Sequence, residues 1–154
     1  MVNEGDLVPD VKLVGLEEEP VSPADFKGQK LVLYFYPKDD TSGCTAEAQD
    51  FTRLAPAFEA EGTWVLGVSK DDAKKHRKFI DKYDLKVRLA TDPNGAACEA
   101  FGTWIEKSMY GRKYLGIDRA TFLVDRDGVV AKVWRKVKVP GHAEAVLAAA
   151  KELP

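Results

Sequence analysis

Cys44 is the residue in this sequence best placed to do chemistry. It follows the apolar run Tyr34-Phe35-Tyr36 through Pro37-Lys38-Asp39-Asp40-Thr41-Ser42-Gly43, and it opens a helical segment that continues through Thr45, Ala46 and Glu47. The first N–H groups of a helix have no intrahelical partners and carry the positive end of the macrodipole. A sulfur held there is drawn toward thiolate, its nucleophilic form. A lone cysteine is otherwise among the most buried residue types and would read as packing. The neighbours Pro37, Thr41, Gly43 and Glu47 argue for reactivity instead. Thr41 and Glu47 are also residue types that cap a helix start and close a capping box, which is compatible with a second role at the sulfur.

The elements that must position this sulfur alternate between strand and helix. Asp10 to Val14 and Pro20 to Val21, around the turn-like Gly15 to Glu19, form a short hairpin or extended lead-in. Leu31 to Tyr36 is almost wholly apolar, as a central strand covered on both faces should be. Cys44 to Glu61 is helical, with a kink expected near Thr52 to Ala55 because Pro56 removes a hydrogen bond. Trp64 to Ser69 is a second buried strand. Asp71 to Tyr83 is an amphipathic helix with Ala73, His76, Phe79, Ile80 and Tyr83 on one face. Val87 to Ala90 is a brief strand, Thr91 to Gly95 is turn chemistry, and Ala96 to Phe101 is a short helix. Gly102 to Asp118 reads as a long aromatic and basic connection, a length that is usually functional or flexible, placed to cover a site. Thr121 to Val124 and Val129 to Trp134 flank Asp125-Arg126-Asp127-Gly128, a hairpin signal. His142 to Leu153 closes the chain as a helix with Val146, Leu147 and Ala150 inward.

Composition narrows the class without naming it. At 154 residues and 45% hydrophobic content, one domain over residues 1–154 suffices to bury a core. A net charge of −2 gives no general attraction to nucleic acid or anionic lipid. The basic run Lys74 to Lys78 sits among Asp71, Asp72 and Asp81 and reads as the solvated face of its helix. No run approaches the roughly 18 apolar residues of a membrane span, and Met1 to Asp6 has no secretory pattern, so a soluble cytoplasmic protein is expected. Two cysteines, Cys44 and Cys98, are not a disulfide framework of the secreted kind. His76 and His142 are read as having no ligand-like partners, so no metal site and no cofactor are expected.

Strand, Cys-helix, strand, helix, hairpin and final helix is the order of a thioredoxin-like α/β fold, a central mixed β-sheet flanked by helices. At this point the sequence resembles the peroxiredoxins, and within them the Q-type or bacterioferritin-comigratory branch. Pro37, Thr41 and Cys44 stand at the Pro-x-x-x-Thr/Ser-x-x-Cys spacing, Glu47 follows, and Arg119 precedes the strand Thr121 to Val124. Further matches run from Gly5-Asp6 and Pro9-Asp10, through Gly67-Val68-Ser69, to Asp125-Arg126-Asp127-Gly128.

The resemblance implies a thiol-dependent peroxidase acting on hydrogen peroxide and organic hydroperoxides. Cys44 would attack one peroxide oxygen and become a sulfenic acid while charge develops on the leaving oxygen. It implies that the Thr41 hydroxyl and the Cys44 N–H hold peroxide oxygens, and that the Arg119 guanidinium stabilises thiolate and transition state. It further implies that Glu47 orients the arginine and that Pro37 shields the sulfur. Monomer is the default for this branch, with a weak homodimer as the alternative. The reductant would be thioredoxin, or a glutaredoxin or glutathione system.

Cys98 departs from the resemblance. One common arrangement puts a resolving cysteine five positions after the first, where this chain has Gln49, and another puts it in the helix Asp71 to Tyr83, which has none. Cys98 therefore reads as a small packing residue beside Ala96, Ala97 and Phe101, which favours a one-cysteine cycle; resolution by Cys98 stays open as the alternative. A disulfide oxidoreductase would want Cys-x-x-Cys and a proline before the strand threonine, and positions 47 and 120 are Glu47 and Ala120. A redox sensor or holdase using Cys44 only as a switch is the third reading.

Overall fold

The computed structural model describes residues 1–154. The core is a seven-stranded sheet in the order β2-β1-β5-β4-β3-β8-β9. β1 (Leu13–Val14) and β2 (Pro20–Val21) pair as the expected antiparallel lead-in. β3 (Lys30–Phe35) is buried at every position and lies between parallel β4 (Thr63–Ser69) and antiparallel β8 (Ala120–Val124). β5 (Arg88–Thr91) extends the parallel set, and β9 (Val130–Trp134) pairs with β8 across the Asp125-to-Gly128 turn.

Helix α1 (Ser42–Arg53) and the shorter α2 (Ala55–Ala60) connect β3 to β4, and α3 (Ala73–Tyr83) connects β4 to β5. The break between α1 and α2 falls at Leu54, within the expected segment, because Pro56 cannot donate to the turn before it. α4 (Ala96–Phe101) and α5 (His142–Glu152) match the sequence reading closely.

Because strand side chains alternate, β3 divides the interior into two layers. Leu31, Leu33 and Phe35 face one, which also holds Ala97, Cys98, Phe101 and Phe122. Val32, Tyr34 and Tyr36 face the other, with Cys44, Ala48, Phe51, Phe79 and Val146 from α1, α3 and α5. Tyr34 stacks on Phe51 at 4.7 Å between ring centroids, which seats α1 on the sheet just below Cys44.

One expectation is corrected. Gly102 to Asp118 is not a long loop but an antiparallel hairpin, β6 (Trp104–Met109) and β7 (Arg112–Ile117), separate from the main sheet. It turns through Tyr110 and Gly111, both at positive φ, the requirement of a tight two-residue hairpin turn. The turn carries tyrosine where asparagine would advertise it. Most residues of both strands are exposed or only partly buried, with Ile117 the one buried position, so no apolar alternation marks them.

Candidate active site

The site forms where the C-terminal end of β3 meets the start of α1. The helix begins at Ser42, so Cys44 is the third residue of its first turn. The first amide to reach back is that of Thr45, 2.8 Å from the Thr41 carbonyl, and the Cys44 N–H makes no hydrogen bond within the protein. Cys44 is only 2% exposed, so its sulfur sits beneath the surface beside a free donor.

Arg119 stands just before β8, the strand beside β3. The β3–β8 register sets Phe35 opposite Ala120, which puts Arg119 level with the residues leaving β3 toward Pro37. Its Nη2 donates to the Cys44 Sγ at 3.4 Å and its Nη1 to Glu47 Oε1 at 2.8 Å. Glu47 lies one helical turn beyond Cys44, on the same face, so the carboxylate and the sulfur share one guanidinium. Burial pushes the Glu47 carboxyl up to about 7 against the opposing pull of Arg119. Burial would also weaken the guanidinium, but Glu47 and the Cys44 sulfur outweigh it and hold Arg119 above its usual range. Tyr34 Oη, Thr45 Oγ1 and Glu47 Oε2 are buried with no protein partner, all on β3 or the first two turns of α1. Burial, then Glu47 and Cys44, drives the Tyr34 hydroxyl well above its ordinary range.

The other expected residues take definite places. Thr41 is at the N-cap position, yet its hydroxyl does not cap the helix and instead donates to the Lys38 carbonyl at 2.8 Å. Glu47 closes no capping box, being engaged with Arg119. Pro37 is half-buried at the start of the loop. Cys98 is fully buried in the opposite core layer, its N–H donating to Asp92 Oδ2 at 2.9 Å. Burial, reinforced by Asp92, pushes its thiol up to about 12.

Both histidines have hydrogen-bond partners that their sequence neighbourhoods do not reveal, and for His76 the partner is a carboxylate, which corrects the sequence reading of that residue. His142 Nε2 lies 2.8 Å from Thr121 Oγ1, between the rings of Phe51 and Trp134. Burial and the nearby Arg119 charge push it down to about 4, so it is a neutral packing imidazole. His76 Nδ1 lies 2.7 Å from Asp39 Oδ2. Sequence reasoning also passed over Lys107, a half-buried β6 residue whose ammonium is weakened by burial and which senses the charges of Asp118, Arg119 and Cys44. Its only signal was membership of a basic segment.

A cysteine on the first turn of a helix, bonded to an arginine that a buried glutamate holds, on a thioredoxin-like sheet, defines a cysteine-based redox enzyme. The AhpC/TSA family description matches residues 5–133. Peroxiredoxin Bcp of Bacillus subtilis is 43% identical over 149 residues, covering 97% of this chain and 95% of the relative. Peroxiredoxin Bcp of Xanthomonas campestris is 52% identical over 124 residues, 80% of this chain and 78% of the relative. A solved structure of the X. campestris bacterioferritin comigratory protein, described in terms of its alkyl peroxide reduction activity, superposes with a TM-score of 0.89 at 43% identity, covering 97% of this chain and 98% of that one. The chain belongs to the AhpC/TSA family, among its peroxiredoxins of the Bcp or Q type. The mixed α/β thioredoxin-like fold and the enzyme class, a thiol peroxidase, are as the sequence led one to expect.

Proposed function

We propose that Cys44 is the peroxidatic sulfur and that Thr41, Arg119, Glu47 and Pro37 build its pocket. The observation that carries this reading is the pair of bonds from one guanidinium, 3.4 Å to Cys44 Sγ and 2.8 Å to Glu47 Oε1. A thiolate attacks the near oxygen of the peroxide in line with the O–O bond. An S–O bond forms, the O–O bond breaks, and the electron pair leaves on the far oxygen, which takes a proton to become water or an alcohol. Charge thus leaves the sulfur and builds on oxygen, and fixed donors that meet it lower the barrier.

The donors at hand are the Cys44 N–H and the Arg119 fork. Thr41 complements them: with its hydrogen given to the Lys38 carbonyl, its oxygen presents lone pairs that accept the peroxide O–H. Glu47 fixes the guanidinium, and Pro37 limits water at the sulfur. Hydrogen peroxide and alkyl hydroperoxides are both substrates on this reading, the second supported by the activity ascribed to the X. campestris structure.

The cycle uses one cysteine of this chain. Cys98 sits in the core layer on the far side of the sheet from Cys44, with its thiol held protonated by burial. An external thiol, from thioredoxin, glutaredoxin or glutathione, attacks the Cys44 sulfenic acid, releasing water and forming a mixed disulfide that a second thiol reduces. On this reading the chain works as a monomer in the cytoplasm; no helix is long and apolar enough to cross a membrane. The test is Cys44→Ser, which swaps one atom and leaves a hydroxyl that is not ionised at neutral pH. Peroxide consumption with a thiol donor is expected to vanish while the circular dichroism spectrum and the urea midpoint hold. Continued turnover by that variant would remove Cys44 from the centre of the reaction.

A further inference from the structure

The loop that delivers Cys44 is tied to helix α3 by a buried polar cluster for which the peroxide chemistry has no use. Asp39, between Pro37 and Thr41, is buried and turns its carboxylate to Tyr36 and His76. Its Oδ1 accepts the Tyr36 hydroxyl at 2.5 Å, and its Oδ2 lies 2.7 Å from Nδ1 of His76 on α3. The other ring nitrogen of His76 lies 3.1 Å from the Ala90 carbonyl on β5. A carbonyl can only accept, so Nε2 carries a hydrogen, and a second proton lies between Nδ1 and Asp39, which otherwise would face each other with bare lone pairs. The side chains of His76 and Asp39 are only 1% and 5% exposed.

Two further ties join the same segments. The Asp39 N–H donates to Asp71 Oδ2 at 2.8 Å, an oxygen that also accepts the Ser69 hydroxyl at 2.7 Å. Asp40 stands in the left-handed region at φ 59°, unusual for a residue with a side chain. It is held there by Lys82 Nζ at 2.8 Å and the Tyr83 hydroxyl at 2.6 Å, both from the last turn of α3. A buried carboxylate–imidazole pair contributes little net stability compared with an apolar pair of the same volume, but it fixes one geometry.

We propose that His76 is a positioning residue for the peroxidatic loop. Through the proton it shares with Asp39 it sets the path of the chain from Pro37 to Cys44, and Lys82 and Tyr83 do the same through Asp40. The Lys38 carbonyl, the Thr41 hydroxyl and the Cys44 N–H thereby keep their orientation toward a bound peroxide. The inference rests on the assignment of Cys44 as the reacting sulfur.

Two rate constants separate positioning from general support of the fold. Reaction with hydrogen peroxide needs the loop's donors and acceptors aligned, whereas alkylation of Cys44 by iodoacetamide needs only a reactive, reachable sulfur. In His76→Phe, which fills the space but has no proton to share, the ratio of the peroxide to the alkylation rate constant is expected to fall by about tenfold or more, since small misplacements of reacting groups carry such penalties. In the double variant Lys82→Ala with Tyr83→Phe, which removes both donors to Asp40 but keeps the Tyr83 ring packed against Phe79, the ratio is expected to fall by about threefold. That second variant keeps the test intact if His76→Phe does not fold. An unchanged ratio in the folded variants overturns the proposal. Cys44→Ser is run alongside: if it still consumes peroxide, the site assignment fails, whereas an inactive Cys44→Ser with unchanged ratios sinks only the positioning role of α3.

Discussion

At the scale of single residues the site is an arrangement of charge around a sulfur that would otherwise be an inert core atom. On the proposed reading Arg119 is the group that changes this, because its planar fork reaches the sulfur and the glutamate at once. Arg119→Met keeps an unbranched apolar stem and removes every donor; the second-order rate constant for hydrogen peroxide, read by stopped flow, is expected to drop by about 10²- to 10³-fold. A drop of less than about threefold would mean the guanidinium is not where charge develops. Glu47 carries a different signature. Its carboxyl rises from 4.5 to about 7 in the folded protein, so between those values the folded state holds a proton that the unfolded state has lost. Its contribution to stability is therefore full below pH 4.5 and is lost as pH rises through about 7. The size is on the order of 3 kcal/mol, from about 1.4 kcal/mol per pKa unit. Urea unfolding of Glu47→Gln across that range is expected to lack this decline. An identical pH dependence in the variant would show that Glu47 is not the group responsible.

At the scale of elements, the stacking of Tyr34 on Phe51 seats α1 on the parallel strands β3, β4 and β5. Gly67 in the middle of β4 makes this possible: a Cβ there would stand 2.7 Å from the Tyr34 ring and 2.9 Å from the Leu89 side chain. Gly67→Ala must push Tyr34 off Phe51, the contact that seats α1. Overpacking of this kind costs about 1–3 kcal/mol, to be read as a lowered urea midpoint; an unshifted midpoint would mean that the Tyr34 layer yields freely. The sequence made most of these elements legible. An unbroken apolar run marked β3, Pro56 marked a kink where the structure has the break between α1 and α2, and Asp-Arg-Asp-Gly marked the turn before β9. The hairpin β6–β7 was hidden because exposed strands need not alternate and its turn has Tyr110 at a positive-φ position. The candidate site was legible for the same residues that the fold brings together, Cys44, Glu47 and Arg119, since each has a fixed place relative to a recognisable strand or helix. The Asp39–His76 pair was not, because nothing local relates a loop aspartate to a helix histidine that meets it only when β3, β4 and β5 lie side by side.

At the scale of the whole molecule, the decisive fact is that the sheet separates the two cysteines. Side chains of opposite parity on β3 face the layer that holds Cys44 and the layer that holds Cys98, and each layer is filled by its own set of aromatics. The proposed one-cysteine cycle follows from this separation: Cys44 reacts, Cys98 stays in its own layer, and a partner's thiol completes the cycle. Intact-mass analysis with peptide mapping, after one equivalent of hydrogen peroxide and without a reductant, examines this in a single step. One added oxygen on Cys44, with Cys98 still a free thiol, is the result this account predicts. Oxidation at Cys98, a bridge between the two sulfurs, or a Cys44 left unmodified would contradict it.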